Sequence, residues 1–264
     1  GRDVYVGFNK TDSFVASSHD GGASFALPVR TNQTGRTWYH TGGAVAPDGT
    51  VWFGAAEYAE RYDGRIRVYA LRSTDGGASF TSTWLDFSFA APRCAWSPGC
   101  YWGFLGPGTG LAVDEAGTVL FAYNAGRAFT APQQLFVRTT LDGVNWTAPV
   151  RISTSDKRMD NAFPVVVAGP VAGDFAVVWQ GDEGDVHTWN TWMRRTRDSG
   201  VTWEPLVRLS TSEGGAPYKT TKGYRFPYGD YMNATADGAG RVHAIWGAGA
   251  SFDGPGGTWY ARTQ

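Results

Sequence analysis

One short string occurs four times along this chain of 264 residues. Its copies are SHDGGASF at 18–25, STDGGASF at 73–80, TLDGVNW at 140–146 and TRDSGVTW at 196–203. Their aspartates are Asp20, Asp75, Asp142 and Asp198, which follow one another at intervals of 55, 67 and 56 residues. A recurrence at this spacing predicts a fold built from repeated units, each of which packs against its neighbours.

Strand-like runs flank each copy of the string. RVYALRST leads into the second copy, and NWTAPVRIST continues out of the third. Three copies also have a hairpin signal upstream, such as GGAVAPDGTVWFGAAE. Each unit is therefore predicted to hold four strands, with the string as the turn between the third and fourth. The 36 glycines and the low charged fraction of 18% fit short strands joined by tight turns.

Four-stranded units at this spacing predict an all-β fold, a β-propeller of four-stranded blades forming a single domain over residues 1–264. Three complete blades are expected at 39–88, 104–154 and 161–211. Two partial blades are expected at 3–31, without an innermost strand, and at 226–264, which stops where a fifth turn would begin. The direct interpretation is five blades. A six-bladed propeller shortened at its ends is the alternative.

The residue types in the string have structural roles. An aspartate that opens a tight turn accepts backbone N–H groups, glycine permits a positive φ, and the final Trp or Phe fills space between sheets. The pattern closely resembles the Asp box, or BNR repeat, of the sialidase-like β-propeller superfamily, of the secreted bacterial type. This resemblance implies the fold and a carbohydrate-active protein. It does not single out one activity, because lectin-like and lyase propellers of the superfamily also carry the box.

Function is expected at the other end of the propeller. If the four turns and the hairpins before them share one end, strand alternation places the remaining connections at the opposite end, on variable loops over a rigid scaffold. Those loops hold most of the tyrosines, many of the carboxylates and two of the four histidines. Such loops suit the recognition of sugars, because aromatic rings stack on the apolar faces of a sugar and charged side chains bind its hydroxyl or carboxylate groups.

The resemblance implies a sialidase-like site with an arginine cluster, a Tyr nucleophile activated by Glu, and an Asp that moves the proton. The catalytic candidates are Asp230, Tyr231, Asp160 and Glu57, with Tyr228 and Glu183 as alternatives for the Tyr–Glu pair. The substrate-binding candidates are Arg225, Tyr228, His40, Trp102 and Arg127, and Arg36 and Arg65 are further arginines within reach. An Arg-Ile-Pro signature, present in true sialidases, is absent from this sequence. Two functions therefore stay open, a sialidase-like glycoside hydrolase and a non-catalytic, lectin-like propeller that binds a glycan or a surface.

Other classes of partner are not expected. The net charge of −1, with basic residues spread along the chain, argues against binding nucleic acid or an anionic membrane. No apolar run is long enough for a membrane span, and no signal peptide is recognised. His40 and His187 lack companions at metal-ligand spacing. We expect a monomer without metal or cofactor that binds a glycan or another small polar ligand at the channel mouth.

The two cysteines lie close together in the sequence CAWSPGC, as Cys94 and Cys100. A disulfide could close this short loop, and two free thiols are the alternative. We predict the disulfide and, with it, a secreted protein.

Mass spectrometry of the native chain without reductant tests this pairing. The intact mass should be about 2 Da below that of the reduced chain, as one disulfide requires. Two thiols that alkylate in the native protein would contradict the prediction.

Overall fold

The computed structural model describes residues 2–32, 36–58, 65–89, 106–129, 131–154, 159–182, 189–211, 232–249 and 256–264. Its regular secondary structure in these ranges is entirely β, with 18 strands in five antiparallel sheets. The prediction of an all-β propeller with four-stranded blades is confirmed. Cys94 and Cys100 lie outside the described residues, so their pairing stays a prediction.

Each sheet follows the chain from its inner to its outer strand. The first sheet contains β1 (Val4–Asn9), β2 (Ser13–Ser18) and β3 (Val29–Arg30). The second contains β4 (Thr37–Val45), β5 (Val51–Tyr58), β6 (Arg65–Ser73) and β7 (Thr81–Phe89). The third contains β8 (Thr109–Val113), β9 (Val119–Ala125), β10 (Gln134–Thr140) and β11 (Val150–Arg151). The fourth contains β12 (Asn161–Ala168), β13 (Phe175–Asp182), β14 (Trp189–Thr196) and β15 (Val207–Arg208), and the fifth contains β16 (Met232–Ala236), β17 (Val242–Gly249) and β18 (Gly256–Arg262).

The inner strands of neighbouring sheets lie beside one another. β4 contacts β8, β8 contacts β12, and β12 contacts β16. Glycines permit this close approach: at Gly42, whose φ is +84°, a Cβ would come within 3.1 Å of the Gly110 Cα. The inner strands therefore surround an axis, as the strands of propeller blades do.

Stacking of the sheets forms the core. Every residue of β5 and of β9 is buried, because both faces of these second strands are covered. Trp52 of the second sheet and Phe121 of the third belong to one hydrophobic cluster, and Leu120 of the third sheet and Val177 of the fourth belong to the next. Each large apolar side chain buried in this way stabilises the fold by about 1.5–3 kcal/mol. The fold is therefore held mainly by contacts between successive sheets.

The first and fifth sheets each leave one face exposed. Val4, Val6 and Phe8 of β1 are 37%, 45% and 40% exposed, and Ile245 and Tyr260 of the fifth sheet are 46% and 61% exposed. In the second to fourth sheets the corresponding faces lie between neighbouring sheets. Among the described residues, the outer faces of the first and fifth sheets do not cover each other.

The four copies of the repeated string form tight turns, called the repeat turns below. In the second copy, Asp75 accepts the backbone N–H of Ser79 at 3.0 Å and its hydroxyl at 2.5 Å, and it accepts the Ser73 hydroxyl at 2.7 Å. Gly77, with φ +85°, donates its N–H to the Ser73 hydroxyl oxygen at 2.9 Å. These bonds occupy both carboxylate oxygens of Asp75 within its own turn, which fits a structural role for the string.

The other three turns repeat this arrangement. Asp20 and Asp198 accept the N–H and hydroxyl of the residue four positions on, and in the shorter third copy Asp142 accepts the N–H groups of Val144 and Asn145. Hydrogen bonds to the ionised form lower the pKa of every one of these carboxyls, that of Asp75 to about 2 with the Ser79 hydroxyl as the largest cause.

Asp75→Ala should lower the Tm because it removes three hydrogen bonds from a turn that joins two strands. Folding depresses the pKa of Asp75 from an ordinary 3.8 to about 2, so its stabilisation is complete above pH 4 and disappears as the pH falls through 2. The Tm difference between wild type and variant, measured by calorimetry, should be large at pH 6 and small at pH 2. A difference that is constant across this range would contradict the role of the ionised carboxylate.

Candidate functional site

The sheets present two distinct ends to solvent. In the second to fourth sheets the repeat turn and the first hairpin share one end, called the turn end below, because antiparallel strands alternate in direction. The repeat turn of the first sheet lies at the same end, where the Ser17 hydroxyl contacts the Gly77 carbonyl. The remaining connections reach the opposite end, called the mouth. The predicted residues Trp102, Glu183, Arg225, Tyr228, Asp230 and Tyr231 lie outside the described residues. The described part of the mouth consists of strand ends and short connections.

Glu57 lies at the mouth end of β5 and is the centre of a polar cluster. Its side chain is only 9% exposed. One carboxylate oxygen lies 3.4 Å from the Arg36 Nε, and the other accepts hydrogen bonds from Arg67 Nη1 and the Tyr69 hydroxyl, each at 3.2 Å. The Tyr69 ring packs against Trp38 with 4.6 Å between ring centroids. A predicted catalytic carboxylate is therefore held between two arginines and a phenol.

The electrostatics of this cluster follow from burial and charge. Burial, and then the negative charge of Glu57, raise the pKa of Tyr69. The same carboxylate raises the pKa of Arg67. Arg36 and Arg67 are 38% and 44% exposed, and a guanidinium carries five N–H donors, so both keep donors that face solvent at the mouth. The cluster can orient a carboxylate for proton transfer and offer donors to a hydroxyl or carboxylate of a ligand.

Asp160 lies at the mouth immediately before the inner strand β12, and it is 6% exposed. Its Oδ1 accepts the N–H of Gln133 at 2.7 Å. The neighbouring Asn161 donates to the Gln133 carbonyl at 3.0 Å and accepts the Trp179 indole N–H at 2.9 Å. Asp160 is thus part of a buried polar network that joins the third and fourth sheets at the mouth.

Arg127 follows β9 at the mouth and binds a carboxylate of the same chain. Its guanidinium contacts both oxygens of Asp86 on β7, at 3.1 and 2.8 Å, and lies over the Phe136 ring at 4.3 Å. The Tyr123 hydroxyl donates to Asp86 at 2.5 Å. Burial opposes ionisation of Asp86, but the bonds from Arg127 and Tyr123 outweigh it and keep the pKa of Asp86 below its usual value. This ion pair links the outer strand of the second sheet to the third sheet.

His40 lies within β4 and faces the first sheet. Its Nε2 contacts the hydroxyl of Ser13, which also contacts the hydroxyl of Thr31, and its ring packs edge-on against Phe53. Burial lowers the pKa of His40 to about 4, so the imidazole is neutral at physiological pH. The structure places this predicted substrate-binding residue in the interface between the first two sheets.

The channel between the inner strands contains a cavity of about 380 Å³. Its walls combine glycines with the Thr41 and Thr109 hydroxyls, which lie 2.7 Å apart, and with Phe163, Pro164 and Met232. Among the described residues no group of three or more His, Cys, Asp or Glu side chains is placed to hold a metal ion.

Two functional features were not found from the sequence. Tyr69 is not among the predicted partners of Glu57. It stands diagonally across the β5–β6 pair, since Glu57 faces Arg67 and Tyr69 faces Ala55. Asp86 was not proposed as the partner of Arg127, and no local signal links residues 41 positions apart. The described part of the chain holds no helix of the length and apolarity that a membrane crossing needs.

Comparison with known proteins supports the fold. No family model and no curated protein matches the sequence. Among solved structures, an α-L-arabinanase of Penicillium chrysogenum in complex with arabinobiose superposes with a TM-score of 0.59 at 14% identity, over 97% of this chain and 77% of that one. A Hadza microbial sialidase gives a TM-score of 0.55 at 15% identity, over 95% of this chain and 44% of that one. An ulvan lyase gives a TM-score of 0.55 at 14% identity, over 98% and 61%. At these identities the likeness is one of fold, a propeller similar to those of sialidases and arabinanases.

Asp86→Ala should lower the free energy of unfolding by about 2 kcal/mol, because it leaves the Tyr123 hydroxyl buried without its partner and the Arg127 guanidinium unpaired. Denaturant titration measures the change. Asp3→Ala is the matched control, since Asp3 pairs with His19 and both side chains are more than half exposed. The control should change stability by less than about 0.5 kcal/mol. Equal effects of the two substitutions would contradict a structural role for the Arg127–Asp86 pair.

Proposed function

We propose that this protein is a secreted, sialidase-like glycoside hydrolase that cleaves an extracellular glycan at the mouth of the propeller. The observation that carries the proposal is the cluster at Glu57, where a buried carboxylate lies between two arginines and a tyrosine at this end. Fold neighbours named as an arabinanase, sialidases and an ulvan lyase support the same class of activity.

The chemistry assigns roles to the predicted residues. Glycoside hydrolysis needs a group that attacks or activates the anomeric carbon and an acid that protonates the leaving oxygen, and in sialidases a Tyr replaces the usual carboxylate nucleophile. In this proposal Tyr231 attacks the anomeric carbon, Glu57 accepts its proton, and Asp160 or Asp230 protonates the leaving oxygen. Water, deprotonated by the same aspartate, then cleaves the glycosyl–tyrosine bond, and Glu57 returns the proton to Tyr231. Arg225, together with the free donors of Arg36 and Arg67, binds hydroxyl or carboxylate groups of the sugar.

A binding protein without catalysis is the second candidate, and one observation favours it. Three donors of the chain already occupy Glu57, and the Oδ1 of Asp160 accepts a backbone N–H. Carboxylates fixed in this way also suit a rigid rim that displays arginine donors to a glycan. Product formation separates the two candidates.

A glycan array followed by product analysis of every hit tests the proposal. We expect at least one glycan to bind and to be cleaved. Glu57→Gln, Asp230→Asn and Tyr231→Phe should each keep the Tm within a few degrees and lower kcat/KM at least about tenfold, a loss of roughly 1.4 kcal/mol of transition-state stabilisation. Glu204→Gln is the matched control, because Glu204 is an exposed partner of Arg197 at the turn end. Binding without any product would favour the lectin-like candidate, and full activity of all three mouth variants would move the site elsewhere.

A further inference from the structure

A second cavity lies at the turn end, between the second and third sheets. Its volume is about 170 Å³. Its lining includes Thr50, Trp52 and Arg72 of the second sheet and Glu115 and Asp142 of the third. It is separate from the mouth, because strand alternation places it at the opposite end of β5 from Glu57.

Arg72 borders this cavity, and one of its guanidinium nitrogens lacks a hydrogen-bond acceptor among the described residues. After the larger effect of the Thr50 hydrogen bonds, the charge of Arg72 lowers the pKa of the nearby Asp48. The Arg72 Nε is buried and has no hydrogen-bond partner in the described part of the chain. The side chain is fixed from two sides: Cζ lies 5.5 Å from the Trp52 ring, and a Cβ added to Gly143 would be 2.9 Å from the same atom. A buried N–H donor without an acceptor is costly, so the cavity is a place where an acceptor would stabilise the protein.

The fourth sheet carries an arginine at the same position, and there the acceptor is present. Arg72 pairs with Trp52 in the register of β5 and β6, as Arg195 pairs with Ala176 in that of β13 and β14. Arg195 donates through Nε to Asp174 Oδ1 at 2.7 Å and through Nη2 to the other oxygen, so that the ion pair is bidentate. Its Nη1 donates to the Gly240 carbonyl at 2.7 Å.

In the second sheet, Thr50 and Ala46 occupy the positions that Asp174 and Gly169 hold in the fourth sheet. Thr50 precedes β5 as Asp174 precedes β13, and Ala46 bonds to Thr50 through its backbone N–H as Gly169 bonds to Asp174. A Cβ at Gly169 would overlap the Asp174 carboxylate. The second sheet thus lacks the carboxylate at this position, and Ala46, Thr50 and Arg72 all border the cavity.

We propose that this cavity binds a small oxyanion, a carboxylate or a phosphate, which pairs with Arg72 as Asp174 pairs with Arg195. Bidentate oxyanions match the planar fork of a guanidinium. Carboxylates also border the cavity, among them Asp48 and Asp142, and their negative charge favours a singly charged ligand over a doubly charged one. Backbone N–H groups offset part of this charge, since Asp48 accepts the N–H of Thr50 at 2.9 Å and Asp142 accepts that of Val144 at 2.8 Å. Acetate should therefore bind more tightly than inorganic phosphate near neutral pH.

Titration of the whole chain with sodium acetate, sodium phosphate and sodium chloride at constant ionic strength tests the proposal. The readout is the NMR signal of the Arg72 Nε–H, assigned by its loss in Arg72→Met. Acetate should shift this signal along a saturable curve, phosphate should do so more weakly, and chloride should not. The Arg195 Nε–H signal serves as the internal control and should not move.

The double variant Ala46→Gly/Thr50→Asp supplies the missing carboxylate and makes room for it. It should raise the Tm and weaken acetate binding at least about tenfold, because the internal carboxylate takes the place of the ligand. If Arg72→Met fails to fold, this double variant still decides the question. Absence of an acetate-dependent shift at Arg72 in the wild type, or unchanged acetate affinity in the double variant, would overturn the proposal.

Discussion

Burial of both faces of the second strand in successive sheets is the constraint on which the rest of this structure depends. A four-stranded sheet of this size cannot remain folded alone with two apolar faces in water, so the second, third and fourth sheets each need a neighbour on either side. β5 and β9 meet this requirement completely. The radial order of the sheets, the position of the inner strands around a channel and the separation of the two ends all follow from this stacking.

The two ends have different roles because the aspartates of the repeat turns are committed to structure. Each of the four aspartates of the repeat turns is bonded within its own turn, and a carboxylate with such partners has little capacity left for a ligand. The mouth differs, since its connections vary in length and sequence from sheet to sheet. Glu57 and Asp160 both stand at strand ends there, where a rigid scaffold fixes them and solvent remains close.

Much of the fold could be predicted from the sequence because its signals are local. The repeated string, the hairpins upstream of it and the flanking strand-like runs all lie within short segments. They predict the order of the sheets and, in the direct interpretation, five of them. The fourth strands were less well predicted. Only two residues pair in β3, β11 and β15, whereas β7 pairs over most of its nine residues. Outer strands have one paired edge, so pairing there depends on contacts that a local pattern does not report.

The site was harder to predict because it depends on register and on distant contacts. The Glu57–Tyr69 bond depends on the register in which β5 pairs with β6. The alternation of apolar and polar residues within each strand does not determine that register when the connection between the strands has no recognisable turn type. His40 is a substrate-binding candidate in the sequence, but its ring packs against Ser13 and Phe53 in the interface of the first two sheets. The irregularity of β4 between His40 and Gly43 is not visible in the strand-like pattern. Arg127 was chosen for its position at the mouth, and its partner Asp86 comes from a different sheet.

Hydrogen–deuterium exchange with and without a bound glycan tests the central claim most directly, that the glycan binds at the mouth while the repeat turns hold the sheets. With a glycan identified on the array, backbone amides at the mouth ends of β4, β5 and β6, around Arg36, Glu57 and Arg67, should exchange more slowly in the complex. Amides of the repeat turns should keep their rates. Protection confined to the turn end, with none at the mouth, would contradict this account.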